Sequence, residues 1–291
     1  MNIRLPVVSD RFYEGSPASC RHHASKLVES AQVPKDSPGK LYGGLAPHAG
    51  WMFSGRLAAL TFKALHSSAA LKTVVLFGAD HQGMVRQGEV YPSGVWRTPL
   101  GEAPVDQTLA EALLADKALF RANPQVHEGE HSLEVQIPLI QVLSEGAKIV
   151  PVAVPPGDLA VPIGQAVGEL LARKFPDAVV VGSTDLTHHG RAYGFCPGGR
   201  GQAGANWTKD NDARMIDLIQ AMDAEKIVPE AEEHRNACGA GAVAAAVAAC
   251  RAMGARRGIC LAYTTSFDVM NELCPGRADD ATVGYASVVF A

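Results

Sequence analysis

Five short stretches of this sequence put imidazoles, carboxylates or a thiol where apolar runs stop abruptly. LYGGLAPHAGW (41–51) breaks at Pro47-His48-Ala49-Gly50, and VVLFGADHQG (74–83) breaks at Asp80-His81. VVVGSTDLTHHG (179–190) ends in Asp185, His188 and His189. A neutral imidazole ligates metals and moves protons near pH 7, and a carboxylate can do either beside it. One histidine after a strand is more often a turn residue or a hydrogen-bonded core group. Three such ends together put several metal-competent groups in the crevice beyond the carboxyl ends of the strands, where open α/β sheets bind ligands.

The other two stretches sit at helix starts. In HEGEHSLEVQIP (127–138), Ser132 is expected to cap a helix with Glu134 in its first turn. That leaves His131 unexplained and able to face the same crevice. In EEHRNACGAGAV (232–243), Cys238 precedes an Ala/Gly-rich helix. A helix N-terminus favours thiolate, the form that binds metal or attacks electrophiles. Gly239 and Gly241 open space around it. The other five of the six cysteines form no CxxC pair and read as small buried thiols.

The elements that must position these groups alternate in type. Continuous apolar runs at 41–47, 72–80, 147–155 and 177–185 read as buried strands. Helical periodicity marks 17–31, 56–65, 106–116, 132–144, 158–175, 209–222 and 238–252. Two further strands follow at 257–266 and 281–290, and 32–40 is a turn-rich break. Strand–helix alternation implies an α/β fold: a mixed or parallel central sheet with helices on both faces, three layers αβα. No repeat or long linker divides residues 1–291, so a single domain is expected. The Gly-rich stretch 194–205 reads as an exposed loop. Its G-x-G-x-x-G at 199–204 follows no strand, so it lacks the context of a dinucleotide fingerprint.

Composition narrows the classes. The chain of 291 residues is 47% hydrophobic and 19% charged, with net charge −4 and no basic run. That argues against nucleic acid or a membrane surface as partner. No signal-peptide core is present, and the most apolar run (240–250) is about half a bilayer span. A cytoplasmic location is expected. No Walker loop or G-x-S-x-G occurs.

In this order APHAGW (46–51), GADH (78–81), WRTPLG (96–101), EHSLEVQIP (130–138), IVPVAV (149–154), STDLTHHG (183–190), HRNACG (234–239) and TVGYASVVF (282–290) resemble the Memo family. Its bacterial and archaeal members are known as protein B of the AmmeMemoRadiSam system. The family is similar in fold to LigB-like class III extradiol dioxygenases, which use non-haem Fe(II). The resemblance implies His48, His81 and Cys238 as metal ligands. It implies that Asp185 and His188 line the same pocket, with His131 and Glu134 close by. Catalytic roles then fall to His188 as acid or base, Asp185 as its orienter or a fourth ligand, and His131. Three positions depart from the family pattern: Gln82, His189 and Ala240-Gly241-Ala242. The expected activity is a metal-dependent, dioxygenase-like oxidation of a small, catechol-like substrate, with O2 as a co-substrate. Iron is the favoured metal, with copper or zinc as alternatives. A metal-binding docking module without turnover and a zinc hydrolase are the competing readings.

Overall fold

The structure is a computed structural model that describes residues 2–35, 38–276 and 280–291; residues 36 and 37, in the turn-rich break, lie outside it. The chain runs β1 (Ile3–Arg4), α1 (Pro17–Ser30), β2 (Gly43–Ala46), α2 (Trp51–Ser68), β3 (Thr73–Gly78), β4 (Gly88–Val90), β5 (Val95–Thr98), β6 (Gly101–Pro104), α3 (Gln107–Leu114), β7 (Phe120–Ala122), α4 (Gln125–Glu128), α5 (Ile137–Leu143) and β8 (Lys148–Ala153). It continues α6 (Ala160–Lys174), β9 (Ala178–Ser183), β10 (His188–His189), α7 (Gly201–Gln220), α8 (Ala224–His234), α9 (Ala240–Met253), β11 (Gly258–Thr265), α10 (Ser266–Leu273) and β12 (Thr282–Phe290).

The large sheet runs β10-β12-β2-β9-β3-β8-β4-β7, with β11 also paired to β12. Its middle, β2-β9-β3-β8, is parallel. Those four strands are buried almost throughout because helices cover them, which is why they read as unbroken apolar runs. β12 joins β2 antiparallel, and β4 joins β8 antiparallel. A second, small sheet of order β1-β5-β6 carries the N-terminal strand. The α/β architecture therefore matches the expectation. Strands β1, β4, β5, β6 and β7 have two to four residues each, too few to show a period, and escaped the sequence reading.

Two segments differ in kind from expectation. The helix foreseen over 132–144 is a 3-10 turn at Glu134–Gln136 followed by α5, with Pro138 in the first turn of α5, where its missing N–H costs nothing. The loop foreseen over 194–205 gives way to α7 at Gly201. Gly204 can enter that helix because it packs on His189; a Cβ there would stand 2.6 Å from the ring. The preceding segment is a loop, not a strand, so the dinucleotide pattern stays without its context.

α9 is buried from Ala240 to Cys250 and packs on α6 and on β9, β2 and β3. Close approach is permitted by Gly164 and Gly168 on α6. A Cβ at either would lie 2.1 Å from the Ala245 carbonyl oxygen or 2.2 Å from that of Ala249. Among the described residues no helix is long and apolar enough to cross a membrane. Gly168→Ala is expected to force the helices apart and lower stability by about 1–3 kcal/mol. Urea unfolding measures this; a change below about 0.5 kcal/mol would show that α6 and α9 separate freely.

Candidate metal centre

β9 lies between β2 and β3, so the carboxyl ends of three adjacent parallel strands deliver His48, Asp185 and His81 to one place. His48 is 2% exposed. Its backbone N–H donates to Asp185 Oδ1 at 2.7 Å, and its Nδ1 lies 3.0 Å from Ser183 Oγ. Ser183 donates its one hydrogen to the Ser132 carbonyl at 2.7 Å. It can therefore only accept from His48, so Nδ1 carries the proton and Nε2 keeps its lone pair. Gln136 Nε2 donates to the same hydroxyl at 3.2 Å and to the Pro47 carbonyl at 2.8 Å. Burial holds the His48 pKa well below the usual value, and the neighbouring histidines push the same way. The ring is thus in its neutral, ligating form.

His81 is partly exposed. Its Nδ1 meets Glu130 Oε1 at 2.9 Å, and its backbone N–H reaches Glu130 Oε2. Burial alone would lower the His81 pKa; hydrogen bonds with Cys238 and Glu130 reverse this and raise it. Glu130 also accepts from the Ser132 N–H at 2.8 Å. Burial would raise its pKa, but these hydrogen bonds and charges hold it below the usual range. His131 stacks on His81 with centroids 4.8 Å apart and meets His48 edge-on at 5.3 Å. One ligand atom from each of His48, His81 and His131 lies within 4.8 Å of the others.

Cys238 lies beside this group, with Sγ 3.2 Å from His48 Nε2. Sγ also accepts from the Asp185 N–H at 3.3 Å. The expected thiolate bias is corrected: burial pushes the Cys238 thiol up, and α9 begins only at Ala240, so the dipole of its first turn does not dominate. Asp185 lines the cavity, and burial raises its carboxyl to about 7. His188 donates from Nδ1 to the Leu186 carbonyl at 3.0 Å, which leaves Nε2 free. Burial lowers its pKa as well. The cavity encloses about 630 Å3, and its apolar wall includes Phe12, Phe53, Met270, Val283 and Tyr285.

Other expectations resolve differently. Ser132 is not a helix cap; its Oγ accepts from the Ala79 N–H after β3 and so joins the strand end to the 130–136 segment. Glu134 is fully buried and lines no part of the cavity. It accepts from the Val7 and Val8 N–H groups and the Tyr13 hydroxyl and pairs with Arg4. Asp80 accepts from the Met84 and Val85 N–H groups and is a turn residue. His189, next to His188 on β10, faces the opposite way and packs on Trp207. None of Gln82, His189 and Ala240-Gly241-Ala242 lines the cavity. Glu130, Ser183, Arg11 and Phe12 were missed as site residues. Glu130 alone left a signal, as the acid directly before His131.

Two measurements follow from this geometry. Glu130→Gln keeps the shape but removes the carboxylate that orients His81, so affinity for Zn2+ or Fe2+ is expected to fall about 10–100-fold. Metal titration reads this, and equal affinity would show that Glu130 does not orient a ligand. Glu134→Ala leaves the Arg4 guanidinium buried without its partner and is expected to cost about 3–5 kcal/mol of stability. Denaturant unfolding reads this, and a cost below about 1 kcal/mol would show that the N-terminal segment is not held by this pair.

Comparison with known proteins identifies the family. The family model described as Memo-like protein matches residues 4–289. The chain is 36% identical to a MEMO1 family protein of Pyrococcus abyssi, over 99% of both chains. It is 38% identical to one of Thermococcus kodakarensis, again over 99% of both. With one of Nitrosopumilus maritimus it shares 32% identity over 99% of both. The chain, with its histidines gathered at the carboxyl ends of the central strands of a mixed αβα sheet, belongs to the Memo family.

Proposed function

We propose that the protein binds one metal ion through His48 and His81 and uses it for dioxygenase-like oxidation of a small aromatic substrate. The supporting observation is the grouping of three imidazoles, each offering a donor atom within 4.8 Å of the others, in the lining of a cavity of about 630 Å3. The donor set of imidazoles with an adjacent thiol fits a first-row transition metal. Metal-ligating histidines almost always donate their other N–H to a protein acceptor. His48 and His81 satisfy that rule through Ser183 and Glu130. His131 does not, because its Nδ1 stands 3.6 Å from Glu130, beyond a hydrogen bond. The third position therefore lies between His131 and Cys238.

Bound Fe(II) with open positions would supply the site for O2 and an electron-rich aromatic substrate. The residues of the chain supply the rest. His188 Nε2 is the free base that can accept a substrate proton, since its Nδ1 is committed to Leu186. Asp185 holds the His48 backbone and faces the cavity. Phe12, Phe53, Met270 and Tyr285 exclude water from the reacting end. The thiol 3.2 Å from His48 Nε2 favours a softer ion, so copper or zinc is the second reading.

Protein loaded anaerobically with Fe(II) and then exposed to a panel of catechols and aminophenols is expected to consume O2 in step with substrate. His48→Ala should lose both metal and uptake. Full metal occupancy without uptake would overturn the oxygenase reading and leave a metal-binding module. Equal metal content in wild type and His48→Ala would overturn the site itself. Cys238→Ser and His131→Ala, measured in parallel, identify the third ligand as the one whose loss weakens binding most.

A further inference from the structure

The cavity has a second chemical end. The turn at residues 8–13 projects Arg11 and Phe12 into its lining. This turn is fixed from both sides. The Arg11 and Phe12 N–H groups both donate to the Val8 carbonyl, at 3.1 and 2.8 Å. Asp10, at φ 63°, returns the chain so that its N–H reaches the Tyr13 carbonyl at 2.8 Å. Glu134 clamps the Val8 N–H before the turn and the Tyr13 hydroxyl after it. The Phe12 carbonyl accepts from the Trp51 N–H at the start of α2, and the Phe12 ring meets His131 edge-on at 5.1 Å.

Arg11 itself is exposed and lines both this cavity and the shallower groove beside it, so it stands at the mouth. Among the described residues no carboxylate lies within ion-pair distance of its guanidinium. The Asp10 carboxylate is turned to the Gly15 N–H at 2.8 Å. Asp185, the one lining carboxylate among the described residues, is turned to the His48 N–H. The lining that Arg11 and the histidines share also carries the apolar groups Phe12, Phe53, Met270 and Val283. A volume of about 630 Å3 also exceeds what a lone six-membered ring fills and sits among pockets that take metabolite-sized ligands.

We propose that the substrate is an aromatic molecule carrying a carboxylate or phosphate, and that Arg11 selects it by pairing with that anion while the opposite end faces His48, His81 and His131. This rests on the reading of the cavity as a substrate site, but not on the metal. A planar guanidinium recognises either anion with paired N–H donors, so Arg11 sets specificity and takes no part in the chemistry.

Binding of 3-phenylpropionate, phenyl phosphate, the neutral 3-phenylpropionamide and the cationic phenethylamine is measured by calorimetry, on metal-free and zinc-loaded protein. The wild type is expected to bind at least one anion about tenfold more tightly than the amide, with the amine weakest. Arg11→Gln should bring anion and amide within about twofold of each other, and Arg11→Lys should keep part of the preference. The preference should persist without metal, and the tighter of the two anions names the group. Binding of neither anion more tightly than the amide by the wild type overturns the proposal. So does an anion preference that survives Arg11→Gln or disappears with the metal, since the anion would then be seeking the metal and not Arg11. Failure of the oxygenase reading appears separately, as full metal occupancy without O2 uptake.

Discussion

One hydroxyl, Ser183 Oγ, joins the parts of the site that come from distant regions of the chain. It donates to the Ser132 carbonyl and accepts from His48 and Gln136. Ser183 ends β9, His48 follows β2, and Ser132 and Gln136 belong to the segment ahead of α5. A buried hydroxyl with its hydrogen already spent can only accept further bonds. That condition sets the tautomer of His48 and, with it, which nitrogen faces the other donors. Because β9 lies between β2 and β3, the same strand brings Asp185 to the His48 backbone and to Cys238. The metal-competent groups are thus placed by the sheet order, and His48 is oriented by one hydrogen-bonding branch point.

The segment EHSLE (130–134) carries two buried acids with different tasks. Glu130 takes the His81 ring and the Ser132 N–H, so its charge serves the donor set. Glu134 takes Arg4, two backbone N–H groups and the Tyr13 hydroxyl, so its charge holds the N-terminal segment down. Arg4 links the two, because it also donates to the Glu130 carbonyl and lies over Trp96 at 4.4 Å. A buried carboxylate is costly unless its lone pairs are filled. Here both are filled, by groups that also fix the cavity mouth and the histidine-bearing wall relative to each other.

The strand-end groups were legible because buried parallel strands are continuous apolar runs, and a polar break in such a run stands out. His48, His81, Asp185 and His188 all emerged that way, and the αβα architecture followed from alternation alone. What lay beyond reach was non-local. Nothing in LYGGLAPH says that β9 will intervene between β2 and β3. Nothing in MNIRLPVVSD says that Arg4 will meet Glu134, 130 positions later. Ser132 looked like a helix cap because Ser before an apolar run usually is one; its true partner, the Ala79 N–H, depends on tertiary packing. The Cys238 thiol depends on packing in the same way, since burial pushes it up against the pull of the following helix. Glu130 was visible as a letter but not as a partner of His81.

A common rule connects the histidines that matter. His48, His81 and His188 each give Nδ1 to a protein acceptor: a hydroxyl, a carboxylate and a backbone carbonyl. Each therefore presents Nε2 to chemistry, and each is locked in orientation before any ligand arrives. The three acceptors differ in charge. The carboxylate makes His81 the most electron-rich donor, whereas the neutral carbonyl leaves His188 an ordinary base whose pKa is lowered by burial. Division of labour between ligand and proton acceptor can thus arise from the second nitrogen of otherwise identical rings. His131, whose Nδ1 stands 3.6 Å from Glu130, is held by stacking on His81 and by the edge of Phe12. Its contacts join the histidine cluster to the turn that carries Arg11.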